Sequence, residues 1–175
     1  MFQSIVVAVD GSDAANRGLS IAAELATTTG AKLGIVYVVD SNHMEIPDDL
    51  QRLIEVEHVV DPLMHRTMIG LETTPKSLVK SMAEASAESQ RRLYQFADFV
   101  IKQASEVAHR AGVKAIETRI EVGNPAERII EFSKAQEADL IVTGKRGFGR
   151  IKSLLLGSTS HKVSQLADCS CMAIK

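Results

Sequence analysis

Ala138-Asp139-Leu140-Ile141-Val142-Thr143-Gly144-Lys145-Arg146-Gly147, followed after nine residues by Gly157-Ser158-Thr159-Ser160, is the stretch on which the reading of this chain turns. Its first part, residues 139–143, is a short apolar run of the kind buried as a strand. Glycines at the carboxyl end of a strand let a backbone come close to a ligand, because no Cβ stands in the way. The second part opens a helix over residues 159–167, with Ser158 at or near its N-cap. Free backbone N–H groups, hydroxyls and the positive end of a helix dipole converge at such a start. The pattern predicts an anion site, with phosphate as the anion.

Working outward, apolar runs alternate with amphipathic helical stretches, which predicts an α/β fold with a parallel sheet. The strands fall at residues 4–9, 32–39, 115–122, 139–143 and 171–174. A helix over residues 13–28 turns Leu19, Ala22, Ala23 and Leu25 towards the sheet and ends at Gly30. Asn124 and Pro125 suit the N-cap and first turn of another helix, which carries Ile129, Ile130 and Phe132 inward. The third strand alternates Ile116, Thr118, Ile120 and Val122, as an edge strand does. The expected architecture is an open five-stranded parallel sheet of order 3-2-1-4-5, with helices on both faces and a helical insertion after the second strand. In such a sheet ligands bind beyond the carboxyl ends of the strands, where the winding reverses between strands one and four. Asp10 ends the first of these and Gly144 the second.

The spacing Gly-x2-Gly-x9-Gly-Ser is not the Gly-x4-Gly-Lys-Ser/Thr of a P-loop. Nor is it the dinucleotide fingerprint, which belongs after a first strand, where this chain has Asp10-Gly11-Ser12. Together with Ile5-Val6-Val7-Ala8-Val9-Asp10-Gly11-Ser12 and residues 123–174, the arrangement resembles the universal stress protein family, in its ATP-binding branch. The middle of the chain, about residues 41–85, has no counterpart in that pattern.

The resemblance implies a nucleotide-dependent regulator of stress responses, binding ATP, or ADP or AMP, together with Mg2+. It implies a contact from Asp10 to base or ribose and one from the backbone of Val38 to adenine. Gly144, Gly147, Gly157, Ser158 and Ser160 match the family's phosphate and ribose contacts. Thr159 stands where the family usually has Val, so its backbone N–H is the expected contact. Lys145 and Arg146 either neutralise phosphate or are solvated bases of a loop; Arg146 is counted with the site. Arg150 and Lys152 read as solvent-facing or as shielding the phosphates from a distance. Family dimers pair edge to edge through the fifth strand, which implies a homodimer here. Ser170 replaces the Pro common before that strand. Slow hydrolysis or self-phosphorylation, on Ser158 or Ser160, is compatible with this reading, and no catalytic residue is assigned. The alternative of a nucleotide hydrolase or adenylyl-transfer enzyme lacks the Ser-Gly-Gly-x-Asp-Ser and His-x-Gly-His elements those chemistries use. A protein-interaction module built on the insertion is the third reading.

A length of 175 residues suits one domain, residues 1–175, with a proper core. A formal net charge of −2 gives no reason to expect nucleic acid as a partner. No apolar run approaches a membrane span, and the N-terminus enters a strand at once, so a cytoplasmic protein is expected. Cys169 and Cys171 point to the same side of a strand and read as reduced structural thiols. No second ligand pair accompanies them, and His58 and His65 make no metal set. Pro47, Pro62 and Pro75 divide the insertion into helical pieces over residues 48–60, 63–71 and from 76 to 111. The last carries an apolar stripe of Leu93, Phe96, Val100, Ile101, Ala104, Val107 and Ala108. The insertion is too apolar for a linker. It is expected to lid the pocket, extend a dimer contact or dock a client protein, with Met44, Met64, Met68 and Met82 as packing residues.

Overall fold

In the computed structural model, residues 1–40, 75–145 and 157–175 are described. Two compact units divide the chain: Met1–Asn42 with Ala97–Lys175, and His43–Phe96. The first unit carries a five-stranded parallel sheet of order β3-β2-β1-β4-β5. Its strands are β1 (Ser4–Ala8), β2 (Lys32–Asp40), β3 (Ile116–Gly123), β4 (Leu140–Gly144) and β5 (Ser170–Ile174), joined with helices α1 (Asp13–Thr29), α2 (Pro75–Arg110, of which the part from Ala97 belongs to this unit), α3 (Pro125–Ala135) and α4 (Ser158–Leu166). The expected order and strand set are those observed. Most boundaries move by one residue, and α2 runs unbroken through the stretch expected to be continuous. The helical pieces expected at residues 48–60 and 63–71 lie outside the described residues.

Period-two alternation explains how one sheet serves two faces. In β1, β2 and β4, Val6, Val36 and Ile141 form a core cluster with Ala126, Ile129 and Phe132 of α3 and Val163 of α4. Their neighbours Ile5, Val7, Ile35 and Val142 are fully buried too. They point to the opposite face, where Gly18 of α1 packs on Val142 and Ile174. Strands buried on both faces read as continuous apolar runs, which is what residues 4–9 and 32–39 are. The edge strands are less covered: β3 and β5 hold no fully buried residue.

The α1 stripe is Ala15, Gly18, Leu19, Ala22, Ala23 and Ala26. Leu25, expected to face the sheet, is only half-buried. Apart from Leu19 the stripe is made of small residues, so the helix sits close to the sheet and leaves little room for a bulky side chain one step off its centre. Asn124 caps α3 as expected, its side chain accepting from the N–H groups of Ala126 and Glu127. In α2, Val100, Ile101, Ala104 and Ala108 are buried, as are Leu93 and Phe96 of the second unit, whereas Val107 is half-buried. Gly34 in β2 is required by packing: a Cβ there would lie 3.0 Å from the Phe132 ring and 3.1 Å from Val6.

A clamp at the amino ends of the strands was not foreseen. The Asp139 carboxylate accepts the N–H groups of Gln3 at 2.6 Å and Ser4 at 3.0 Å. The Ser4 hydroxyl donates to Gln136 O at 2.8 Å. These bonds join β1 to the approach to β4 and leave the carboxyl ends of the same strands for the site.

Candidate functional site

Parallel pairing aligns Val6 of β1 with Gly34 of β2 on one side and Ile141 of β4 on the other. Residues just past these strands therefore gather at one end of the sheet, at the point where the winding reverses. On the β1 side stand Asp10, Gly11 and Ser12. Asp10 accepts the Ser12 N–H at 2.9 Å, closing a tight turn. Ser12 in turn is the N-cap of α1, its hydroxyl accepting from the Ala15 N–H at 3.3 Å. The turn-and-cap role and a ligand-facing role were weighed for Asp10 from sequence, and the first is met by a single carboxylate oxygen.

Asp10 is half-buried. Desolvation pushes its carboxyl above the usual carboxylate value, outweighing the hydrogen bonds from Ser12 that pull it down. The Tyr37 phenol, on the neighbouring strand β2, is pushed up to about 12, first by its burial and then by the charge of Asp10. Tyr37 was passed over in sequence as one more residue of an apolar strand. A phenol oxygen in an otherwise aliphatic run is the signal that could have marked it, since buried Tyr hydroxyls need a partner. Val38 lies one residue on, half-buried and packed against the α3–α4 cluster.

On the β4 side, Gly144 is demanded by the fold. A Cβ there would lie 2.9 Å from Ala15 N and 3.2 Å from Ala14 C, in the first turn of α1. The close approach read from this glycine is thus an approach of the protein's own backbone. Lys145 follows as a main-chain junction. Its N–H donates to Ile174 O at 2.5 Å, and its carbonyl accepts the Gly157 N–H at 2.8 Å. The Ser160 hydroxyl reaches the same carbonyl at 3.3 Å and Gly157 O at 3.1 Å. From sequence the Lys145 side chain reads equally as a phosphate neutraliser or a solvated base; the described contacts belong to its backbone.

These bonds set the start of α4 against the end of β4. Gly157, rather than Ser158, is the N-cap: it is extended (φ −67°, ψ 153°) and its carbonyl takes the His161 N–H at 2.9 Å. Gly157 brings no side chain to cap the helix, and the amides of its first turn have no intrahelical acceptor. Ser158 is exposed, Thr159 half-buried and Ser160 buried. Arg146 and Gly147, with Arg150 and Lys152, lie outside the described residues. Asp10, Val38, Gly144, Gly157, Ser158, Thr159 and Ser160 are therefore all on elements that end or begin at the same side of the sheet.

Among the described residues no group of three or more His, Cys, Asp or Glu could hold a metal ion. Cys169, just before β5, and Cys171, within it, are free and half-buried, and both pack against the α3–α4 cluster. Burial raises both thiols above their usual value. Among the described residues no helix is long and apolar enough to cross a membrane.

The universal stress protein family matches residues 1–175. Universal stress protein YxiE of Bacillus subtilis (strain 168) is 31% identical over 176 residues, covering 100% of each chain. A universal stress protein of Thermus aquaticus is 29% identical over 175 residues, again covering 100% of each. Among solved structures, a protein studied as a test case of structural genomics matches with TM-score 0.71 and 19% identity, covering 100% of this chain and 96% of the other. A universal stress protein in complex with cAMP matches at 0.59 and 21%, covering 99% and 96%. The Archaeoglobus fulgidus universal stress protein in complex with dAMP matches at 0.57 and 23%, covering 99% and 98%. At these identities the structural likeness speaks to fold alone.

Proposed function

The chain belongs to the universal stress protein family, and from that premise we propose that it is an adenine-nucleotide-binding regulator whose ligand is ATP with Mg2+. The observation that carries this reading is the uncapped start of α4, held against the end of β4 by the Lys145 carbonyl. Unpaired amides and a positive dipole end attract phosphate. The adenosine lies towards Asp10 and the Val38 backbone, and the phosphates towards Gly144, Gly147 and the Gly157–Ser160 turn, with Arg146 offsetting their charge. The cAMP and dAMP complexes of structural relatives support an adenine ligand.

Mg2+ is carried chiefly by the phosphate oxygens, its usual mode with nucleotides. Turnover is slow at most. The first turn of α4 offers hydroxyls and amides, which bind a phosphate without activating water. The protein works in the cytoplasm as a homodimer paired through the outer edge of β5, a strand bonded on one side to β4. The segment of about residues 41–85 docks a client protein.

The test is to denature freshly purified protein and identify the released small molecules by mass spectrometry, beside a Gly157→Val, Ser158→Ala variant. ATP in the wild type and none in the variant is the expected result. Absence of nucleotide, with no ATP binding on titration, overturns the proposal.

A further inference from the structure

Asp10 differs from the other described carboxylates in its surroundings. Those in ion pairs, such as Glu88, Glu131 and Asp168, are partly or largely exposed and stand beside Arg or Lys. Asp10 is half-buried, and among the described residues it forms no ion pair. Few groups face it. From β2 comes Tyr37, whose phenol is neutral across the physiological range. From its own turn come the amide and hydroxyl of Ser12. No charged group of α1 or β4 is among its interaction partners in the described residues.

A carboxylate can accept several hydrogen bonds, and the Ser12 N–H occupies one oxygen. A nucleoside brings neutral donors to the rest, an exocyclic amine or ribose hydroxyls. We propose that nucleotide binding at this crevice is proton-linked through Asp10: the ionised carboxylate accepts the nucleoside's donor, and protonation weakens binding. The inference rests on the adenine-nucleotide reading above.

The sign follows from the hydrogen bond. A donor to the charged form favours that form, so Asp10 titrates at lower pH in the complex than in the free protein. Proton and ligand then compete. Affinity is flat at high pH and falls by up to about tenfold per pH unit below the titration of the free carboxyl. Burial brings this fall above the range of an ordinary aspartate, because desolvation raises the free carboxyl.

The experiment is calorimetric titration of the full chain with cAMP from about pH 8 to about pH 5, a window in which the cyclic phosphodiester keeps its single charge. Wild type should lose affinity progressively towards acid, while Asp10→Asn binds more weakly but without that slope. A flat wild-type profile, or the same slope in Asp10→Asn, overturns the inference. If Asp10→Asn fails to bind, carbon-13 NMR of labelled aspartate decides. The Asp10 carboxyl must titrate lower with saturating cAMP than without it, and an unmoved midpoint overturns the inference. Lack of binding of both cAMP and ATP at about pH 8 defeats the nucleotide reading as well, whereas binding without pH dependence defeats the proton linkage alone.

Discussion

The carbonyl of Lys145 accepts the amide N–H of Gly157 at 2.8 Å, so a strand end and a helix start separated by eleven intervening residues are tied by main chain. The Ser160 hydroxyl reinforces this junction from inside the helix. Ser160 was counted among the phosphate contacts; without ligand its hydroxyl is spent on the protein's own carbonyls.

Ser160→Ala should therefore destabilise the ligand-free protein by about 1 kcal/mol, the usual net worth of a hydrogen bond. Urea denaturation checks it. An unchanged midpoint would mean that the hydroxyl matters only when a ligand is present.

Gly144→Ala should cost about 1–3 kcal/mol, because the new Cβ meets backbone atoms of α1 that cannot step aside. Gly34→Ala meets the Phe132 ring and a Val6 methyl instead, both side-chain atoms with more freedom to shift. The prediction is an order: Gly144→Ala loses more thermal stability than Gly34→Ala, measured by calorimetry on both.

Asp10→Asn should raise the stability of the ligand-free protein at neutral pH. The folded-state carboxyl sits above its ordinary value. Its favourable contribution is complete below about pH 4 and is lost as pH rises through the raised value. At pH 7 the wild type holds a desolvated charge that the amide does not carry, while Asn can still accept from Ser12. Melting temperatures with and without nucleotide should move in opposite directions: up for the free protein, down for the complex.

Asp139→Asn should give the opposite pH profile. The Gln3 and Ser4 amides hold the Asp139 carboxyl below its usual value. Its stabilisation is present above about pH 4 and is lost as pH falls through the lowered value. The gap in melting temperature between wild type and variant should therefore narrow on acidification. A gap that widens, or stays level to acid pH, counts against the clamp.

Strand order, helix caps and inward faces were legible because they follow from local chemistry. Asn124 and Pro125 announce α3 by their side chain and fixed φ, and Ile129 with Phe132 follow at helical spacing. The aliphatic runs of β1 and β2 could only be strands buried on both faces. Side chains such as Leu25 were misjudged because the depth at which α1 sits is set by the small residues around it, a tertiary matter. The site was legible as a place more than as a set of contacts. Gly144 and Ser160 were found by motif, yet Gly144 accommodates α1 and Ser160 holds the Lys145 junction. A glycine that makes room for its own chain and one that makes room for a ligand look the same in sequence. The Asp139 clamp joins residues more than a hundred apart in the chain, and nothing near Asp139 announces it.

The position of β1 has a bearing on how the chain comes into being. It is the central strand, yet its two neighbours are β2, close behind it, and β4, whose Ile141 pairs with Val6. During synthesis the β1–α1–β2 unit leaves the ribosome early, with one flank of β1 open until the last quarter of the chain appears. An apolar strand with an open flank invites pairing with other chains, and distant partners slow its closure. The interval between the emergence of Val6 and that of Ile141 is thus the nascent chain's most vulnerable period, when a chaperone has the most to protect.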